Sequence, residues 1–340
     1  MHFKVLLTVT DISVLDNTTI ELELKTPNSV KIQIKNPSKD YLEKSSNKSI
    51  SFCEIDTSLV PNIRLLNVFK KLASDNISSN KSNKAAIAPI YLGIKQELIP
   101  DIYVAYLNRI ENDLINSGKN IIGLIRWMKN FNGPHNPYAI RGSYWSIDKV
   151  HWFSFPAKFK VFLIRQGETI HLDSSTKSKI NELIKKGTSE PLHHELFREA
   201  WVQRTSNPRS AMVIGITSIE VAINSLIEIL FPKNKKLKTK FKKYPLYDFL
   251  DKCWSEISTS NTLFKTNSLP TILLSTIEEG VSERNKIAHF GFKAPETEKI
   301  ERILKGIKDL LFIVDCLCGY EFTVSYISQE TLNQLLLTKP

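Results

Sequence analysis

The chain has 340 residues, of which 42% are hydrophobic and 24% are charged. These values are those of ordinary folded proteins, so they exclude a fibrous repeat or a disordered chain, and the length allows two domains that each bury a core. The four cysteines, Cys53, Cys253, Cys316 and Cys318, form no CxxC pair. We therefore expect neither a disulfide framework nor a zinc site, and we expect a cytoplasmic protein.

The formal net charge of +11 is unevenly distributed. Residues 1–189 contain 26 Lys and Arg against 17 Asp and Glu, a net charge of +9, whereas residues 190–340 contain 20 against 18, a net charge of +2. Within the second part, "KNKKLKTKFKK" (233–243) has seven lysines and no acid. We interpret this run as a loop, which either is simply solvated or binds a polyanion such as RNA. Its candidate RNA-binding residues are Lys235, Lys236, Lys238, Lys240, Lys242 and Lys243.

The first segments of the chain predict β-strands. The opening "MHFKVLLTVTD" lacks the basic start and long apolar core of a signal peptide and is typical of a strand. The segments "TIELELKT" (19–26), "VKIQIK" (30–35) and "SISFCEI" (49–55) alternate apolar and polar residues. This period of two predicts antiparallel strands with one wet face.

The rest of the first part mixes helix and loop, so residues 1–172 predict an α+β domain. The polar "SSNKSNK" (78–84) is typical of a loop, and residues 101–131 have helical spacing, which we expect to break near Ser117-Gly118. "KFKVFLIR" (158–165) predicts a strand. Residues 173–189 predict a linker that contains a short helix ending near Gly187.

One stretch of the first domain, residues 133–155, is rich in aromatic residues and is interpreted as loop-rich. Two interpretations of its side chains stay open. They form the core of the domain, or they stack on a base or nucleotide beside Arg126, Arg141 and His151. The aromatic residues are Tyr138, Tyr144, Trp145, Trp152, Phe153 and Phe155.

From residue 190 onward the pattern predicts an all-α bundle over 190–322, followed by a C-terminal tail over 323–340. Proline and glycine delimit five helices with apolar residues at spacings of three and four. These helices are predicted within 191–206, 209–230, 244–257, 269–289 and 294–319.

The helix within 211–230 is long enough to span a membrane. Its residues Glu220, Asn224 and Glu228 recur at every fourth position and form one polar stripe, which is typical of a helix in a soluble bundle. We therefore expect no membrane span.

Three polar residues lie together where the helix within 269–289 ends, in "ERNKIAHFG" (283–291). Asn285 and His289 are four residues apart and share one helix face, whereas Arg284 and His289 diverge by roughly 140° and flank a groove. A guanidinium holds two phosphate oxygens, and an imidazole moves a proton at neutral pH. A structural role stays open: Arg284 pairs with Glu279, Glu283 or Glu220 while His289 caps the helix.

This segment resembles the R-x4-6-H motif of HEPN domains in its "RNxxxH" form, which Arg284, Asn285 and His289 match residue by residue. The upstream "ELFREAWVQRTSNPRSAMVIGITSIEVAINSLI" is similar to the Apea-like branch, which has an "EA" helix, a "PRSA" break and a long helix with an "IE" pair. The resemblance covers about residues 190–320. It implies a helical, usually dimeric fold in which the motifs of two chains face each other, and it implies a metal-independent endoribonuclease.

The chemistry of RNA gives a reason for the dimer. A base that deprotonates the ribose 2′-hydroxyl creates an internal nucleophile, and an acid on the opposite side must protonate the departing 5′ oxygen. One His289 cannot occupy both sides, whereas two chains supply two histidines and two copies of Arg284 to stabilise the phosphorane. We expect RNA and a second copy of the chain as partners, together with a phage or cellular trigger or an inhibitory protein, and no cofactor.

Several alternatives remain at this point. Glu220 either orders Arg284 or is a carboxylate satisfied in the bundle core, and His193 and His194 are expected on a solvated helix turn. The family's usual roles imply a prokaryotic toxin or antiviral defence effector. The rival functions are a non-catalytic HEPN module for RNA binding or dimerisation, and a sensor whose aromatic stretch binds a nucleotide signal.

Overall fold

The computed structural model describes residues 1–14, 19–24, 29–37, 51–79, 89–93, 99–134, 137–156, 169–258, 264 and 268–336. The chain forms two compact units. Unit 1 contains residues 1–126 and 136–189, and unit 2 contains residues 127–135 and 190–340. The predicted strand at 158–165 and most of the predicted loop at 78–84 lie outside the described residues.

Unit 1 is built on a sheet of seven strands in the order β3-β4-β5-β1-β7-β8-β6. Strand β1 lies at its centre and runs antiparallel to β5 and β7, whereas β6 runs parallel to β8. A separate parallel pair joins β2 and β9. The strands are β1 (His2–Val9), β2 (Ile12–Val14), β3 (Ile20–Leu24), β4 (Val30–Lys35), β5 (Ser51–Ser58), β6 (Ile90–Leu92), β7 (Tyr138–Ser146), β8 (His151–Ser154) and β9 (Ile170–Leu172).

Helices α1 (Ile63–Ser79) and α2 (Asp101–Met128) cover the apolar face of this sheet. Alternate residues of β1 point toward them and are fully buried, as the period of two predicts: Phe3, Val5, Leu7 and Val9. The predicted helix break at Ser117-Gly118 is wrong, because α2 continues through it. A Cβ at Gly118 would collide with Ile55 and lie 3.1 Å from Leu7 Cδ1, so the glycine permits close packing on the sheet.

The aromatic stretch is not loop-rich, because it contains the antiparallel strands β7 and β8. The core interpretation is confirmed for Trp145, Trp152, Phe153 and Phe155, which are 0–5% exposed. Trp145 contacts the ring of Phe69 in α1 with their centroids 4.7 Å apart. These rings are therefore occupied by packing within unit 1.

The cations that were considered beside the aromatic stretch have different surroundings. Arg126 is buried and pairs with Asp11 at 3.0 Å, and His151 Nδ1 lies 2.7 Å from Asp148 Oδ2. Arg141 is exposed and lies over the ring of Phe52. The three side chains therefore do not form one stacking site with the buried rings.

Residues 173–189, which we predicted as a linker, belong to unit 1 and fold mainly as α3 (Ser174–Lys185). The Asp173 side chain caps the helix by accepting from the Thr176 amide at 2.7 Å. Ile180 and Leu183 are buried, and α3 packs against β3. The helix ends before Gly187, as predicted, where a positive φ of 70° favours glycine.

Unit 2 contains the predicted amphipathic helices, and their apolar faces form its core. The confirmed core positions of α7 and α9 include Phe249, Ile257, Ile303, Ile307 and Val314, all fully buried. The helices are α4 (Leu192–Gln203), α5 (Pro208–Leu230), α6 (Lys235–Lys243), α7 (Leu246–Ser258), α8 (Thr271–Phe290), α9 (Thr297–Leu317) and α10 (Gln329–Leu336). A 3-10 helix, Glu321–Tyr326, follows α9, so residues 323–336 of the predicted tail fold within unit 2, and 337–340 lie outside the described residues.

Helix α5 is long and apolar enough by length and composition to cross a membrane, and 44% of its most apolar window is buried inside the protein. It packs against α4, α8 and α9. Asn224 and Glu228 of the polar stripe are exposed, and Glu220 is half-buried. The stripe therefore faces away from the buried side of the helix.

The lysine-rich run was predicted as a loop, and that prediction is wrong. It forms α6, the lysine helix, because Asn234 caps the helix by accepting from the Leu237 amide at 3.0 Å. Leu237 is buried, and Phe241 contacts the ring of Phe249 at a centroid distance of 5.0 Å. Leu237 and Phe241 are four residues apart and lie on one face of the helix. Their apolar contacts hold the helix against α7 despite the repulsion among its lysines.

Candidate active site

The last turns of α8 carry Arg284, Asn285 and His289 at the surface of unit 2. The helix ends at Phe290, one residue after His289, because Gly291 adopts a left-handed conformation, with φ of 65°. The amide of Gly291 donates to Ile287 O at 3.1 Å, and the amide of Phe292 donates to Lys286 O at 3.3 Å. This C-cap fixes where the backbone places His289.

Two neighbours hold the guanidinium of Arg284. Its Nη2 donates to Glu220 Oε1 of α5 at 2.5 Å, and its Nη1 donates to Asn285 Oδ1 at 3.2 Å. The side chain of Arg284 remains 25% exposed and that of Glu220 remains 39% exposed. Of the interpretations left open for Glu220, the structure shows a carboxylate that orders Arg284, and Glu220 is not a core residue.

The other acids considered as partners of Arg284 bind cations of α9 instead. Glu279 accepts from Arg302 at 2.6 Å, and Glu283 accepts from Lys299 at 3.0 Å. These ion pairs join α8 to α9, whereas the pair of Arg284 with Glu220 joins α8 to α5. The identity of the Arg284 partner was therefore decided by the rotation of α8 in the bundle.

His289 is exposed, and its ring centroid is 6.5 Å from that of Phe290. Because Asn285 and His289 are four residues apart on the same helix, they lie on one face, and Arg284 lies on an adjacent face. Solvent reaches both the guanidinium and the imidazole. The arrangement offers a fixed cation and a group able to transfer a proton, both accessible to a phosphate.

The six lysines predicted to bind RNA divide into two groups. Lys238 pairs with Glu228 at 2.6 Å, and Lys240 pairs with Glu256. The other four are exposed, and none of them forms an ion pair within the part of the chain that the structure describes: Lys235, Lys236, Lys242 and Lys243. The lysine helix thus keeps a positive surface that acids of unit 2 do not neutralise.

A second cluster of ionisable residues was not recognised in the sequence. His193 and His194 were expected on a solvated turn, but they are only 3% and 5% exposed, so that expectation is wrong. Both rings contact Asp315 of α9: His193 Nε2 lies 3.0 Å from Oδ1, and His194 Nε2 lies 2.6 Å from Oδ2. The Trp127 indole donates to Oδ2 at 2.8 Å. We call these four residues the buried histidine cluster.

The buried histidine cluster has the residue types of a metal site. Its distances are those of hydrogen bonds, and both carboxylate oxygens already have N–H partners. Burial lowers the pKa of His194 to about 4, against the raising effect of Asp315. Burial opposes the charge on Asp315, but His194 and the bonds from both histidines still hold its pKa below the ordinary value. The geometry favours a neutral His194 and an ionised Asp315 that is stabilised by hydrogen bonds from the cluster.

One signal in the sequence pointed to this cluster. Asp315 is the acid within the otherwise apolar "LLFIVDCLCG" (310–319) at the end of α9. A charged residue on such a buried segment requires partners, because an isolated ion is strongly disfavoured away from water. The partners themselves come from distant positions, 121 and 188 residues away in the cases of His194 and Trp127.

The sequence matches no protein-family model, and no curated protein or solved structure shows significant similarity to the chain.

Proposed function

We propose that this protein is a metal-independent endoribonuclease of the HEPN type. The observation that carries the proposal is the surface arrangement at the end of α8, where Glu220 and Asn285 fix the guanidinium of Arg284 and His289 is exposed on the same two helical turns. The "RNxxxH" motif supplies the resemblance to HEPN nucleases. Its placement at a solvent-facing helix end supports a role in binding and cleaving a phosphodiester.

The proposed reaction is an internal transesterification of RNA. One His289 removes the proton of the ribose 2′-hydroxyl, and the 2′ oxygen forms a bond to the adjacent phosphorus. The bond from phosphorus to the 5′ oxygen breaks, and His289 of a second copy protonates that oxygen. The products are a 2′,3′-cyclic phosphate and a 5′-hydroxyl, and DNA resists cleavage because it lacks the nucleophile.

Arg284 stabilises the extra negative charge of the phosphorane in this proposal. A guanidinium has five N–H donors, and the contacts to Glu220 and Asn285 use Nη2 and Nη1 for one hydrogen bond each. The remaining hydrogens are able to contact phosphate oxygens without breaking the contact that orients the side chain. Glu220 is therefore a positioning residue, and Arg284 contacts the reacting group.

The substrate binds along the lysine helix in this proposal. Lys235, Lys236, Lys242 and Lys243 attract RNA phosphates, and Lys243 precedes the start of α7 by three residues. Unit 1 selects the RNA, senses a trigger or restrains the nuclease. The family's usual roles place such a protein in the cytoplasm of a prokaryote as a toxin or antiviral defence effector that acts as a homodimer.

The deciding experiment incubates the purified protein with total RNA in EDTA and compares the wild type with Arg284→Ala. We expect the wild type to cleave the RNA and Arg284→Ala not to cleave it. The 2′,3′-cyclic phosphate ends of the products should resist ligation until an enzyme opens the cyclic phosphate and removes it. Arg302→Ala is the matched control, because Arg302 is an exposed arginine of α9 that pairs with Glu279. Cleavage that requires an added metal ion would reject the proposed mechanism.

A non-catalytic HEPN module is the second candidate, and the ion pair between Arg284 and Glu220 favours it. In that case Arg284 serves the packing of α8 on α5, and the lysine helix still binds RNA. A His289→Ala variant distinguishes the candidates, because it would leave RNA binding and all measured activities unchanged in a non-catalytic module.

A further inference from the structure

Unit 1 contains a groove of about 960 Å³ beside β3, the strand at one edge of the seven-stranded sheet. Four consecutive residues of this strand line the groove, Glu21, Leu22, Glu23 and Leu24. Successive side chains of a strand point to opposite faces of the sheet, so a groove that meets all four follows the edge of the strand. We call it the β3 groove.

Two helices form the other walls of the β3 groove. The middle of α2 contributes Ile121 and Leu124, and the end of α3 contributes Ile184 and Lys185. Both residues of α2 are buried, whereas Ile184 is half-buried. The groove therefore has an apolar side that continues into the core of unit 1.

The outer edge of β3 supplies backbone groups to the groove. Within the described residues β3 pairs with β4 alone, and residues 20–24 form no other backbone–backbone hydrogen bond. A strand with a neighbour on one side only has N–H and C=O groups on its other side that are available to a further strand. The five residues of β3 give an edge about 17 Å long.

The charged side chains of the lining cancel in number. They are Glu21 and Glu23 of β3, Lys31 of β4 and Lys185 of α3. All four are exposed, and none forms an ion pair with another described residue. Because the lining has no net charge, long-range attraction does not bring a polyanion such as RNA to it.

The pairing of β3 with β4 shows which side chains suit a neighbour of β3. The leucines of β3 lie opposite apolar residues of β4, and Glu23 lies opposite Lys31. Glu21 lies opposite Gln33 and accepts from its side-chain amide at 2.8 Å, so no cation of β4 lies across from it. On the outer side of β3, apolar side chains suit the positions opposite the leucines, and one cation suits the position opposite Glu21.

A second copy of the chain does not fit this edge. Leu22 and Leu24 must face the apolar side of the groove, which restricts how β3 is able to pair with another β3. Every such antiparallel register with three or more residue pairs places a glutamate of one copy opposite a glutamate of the other. Like charges directly opposite each other destabilise a pair of strands.

We propose that the β3 groove binds an extended segment of a partner protein, which adds to the sheet as a strand antiparallel to β3. This segment alternates apolar and polar side chains and places a lysine or arginine opposite Glu21. Backbone hydrogen bonds hold such a strand, and the alternate side chains select it. The proposal concerns unit 1 and does not depend on the proposed cleavage of RNA.

The first test titrates the full-length protein into a fluorescent heptapeptide, Ser-Val-Gln-Ile-Lys-Ile-Thr, and follows the anisotropy. Its lysine lies opposite Glu21 when its central isoleucine lies opposite Leu22. Proline in place of the central isoleucine should weaken binding at least about tenfold, because it removes a ladder hydrogen bond. Glutamate in place of the lysine should weaken binding about threefold.

Variants of the protein test the same contacts. Glu21→Lys should reverse the preference, so that the peptide with glutamate binds more tightly than the peptide with lysine. Ile184→Asp places a charge on the apolar side and should weaken binding at least about tenfold. Ile102→Asp is its matched control, because Ile102 is an exposed isoleucine of α2 outside the groove, and it should bind like the wild type.

Hydrogen exchange locates the bound peptide. The amides of residues 20–24 should exchange more slowly in the complex, whereas those of β6, at the other edge of the sheet, should not change. Protection of β6 alone, equal binding of the three peptides, or a preference for lysine that survives Glu21→Lys would overturn the proposal. So would displacement of the peptide by single-stranded RNA, or dissociation of a dimer by the peptide in light scattering, which would assign the edge to RNA or to a second copy.

Discussion

Unit 2 has histidines in two opposite environments. His193 and His194 are buried and bonded to Asp315, which also accepts from Trp127. His289 is exposed at the end of α8, beside an arginine that remains 25% accessible. The buried histidine cluster has three polar contacts to Asp315 and is closed to solvent, whereas the exposed site has two contacts to Arg284 and is open to solvent.

The difference shows that many polar contacts can serve stability alone, so access to solvent has to be considered when a functional site is proposed. In the buried histidine cluster the imidazoles satisfy an ionised carboxylate, so they contribute to the stability of the bundle. At the α8 site the polar partners fix Arg284 and leave His289 open to solvent. Substitutions in the first region should change stability, and substitutions in the second should change activity.

The largest expected effect is on activity, in His289→Ala. Loss of the proposed acid and base should slow RNA cleavage by roughly 10²- to 10⁴-fold. Because His289 is exposed, the free energy of unfolding should change by less than about 0.5 kcal/mol. Cleavage rates of a labelled RNA and urea unfolding give the two measurements. A large loss of stability would show that His289 belongs to the packing of the bundle.

The next effect is on stability, in Asp315→Asn. The amide group leaves buried N–H donors of His193, His194 and Trp127 without a charged acceptor, so we expect unit 2 to lose about 3 kcal/mol. Urea unfolding followed by tryptophan fluorescence measures the loss. Asp251→Asn, an exposed aspartate of α7, is the control. Equal stability of the two variants would contradict the role of the buried histidine cluster.

Acidic pH should lower the stability of unit 2 through the buried histidine cluster. The folded pKa of His194 is about 4, whereas its unfolded value is about 6.5, so the unfolded chain binds more protons between these values. Stability should therefore fall by up to about 3 kcal/mol as the pH falls from about 6.5 to about 4. The lowered pKa of Asp315 adds a loss at still lower pH, as the pH falls through its folded value.

Unfolding in urea at a series of pH values measures this slope, and His194→Gln provides the comparison because it does not titrate. A slope as steep in His194→Gln as in the wild type would show that other groups cause the acid sensitivity.

The smallest expected effect is in Glu220→Gln. The carboxylate is partly exposed, so its pair with Arg284 should contribute less than about 1 kcal/mol to stability. Its effect on cleavage should be roughly a fivefold loss through a less ordered guanidinium. A kinetic comparison with Glu330→Gln, a variant of an exposed glutamate on α10, measures this loss. An unchanged rate would remove Glu220 from the site.

Local patterns in the sequence predicted much of the fold. The alternation in "VKIQIK" reproduces β4 at its observed bounds, and the spacings of three and four place the buried faces of α7 and α9 correctly. The errors occurred where contacts with distant residues outweigh local preference. The lysine helix depends on the contact of Phe241 with Phe249, and α2 continues through Gly118 because the sheet lies against it.

By itself, the sequence determined the α+β character of the first part, the helical second part, and the grouping of Arg284, Asn285 and His289 at one helix end, because neighbouring residues on a strand or helix have fixed relative directions. Only the tertiary structure decided that Glu220 is the partner of Arg284 and that His193 and His194 bind Asp315 in the core. Those pairs join separate helices, and their contacts depend on how each helix is rotated when the bundle closes.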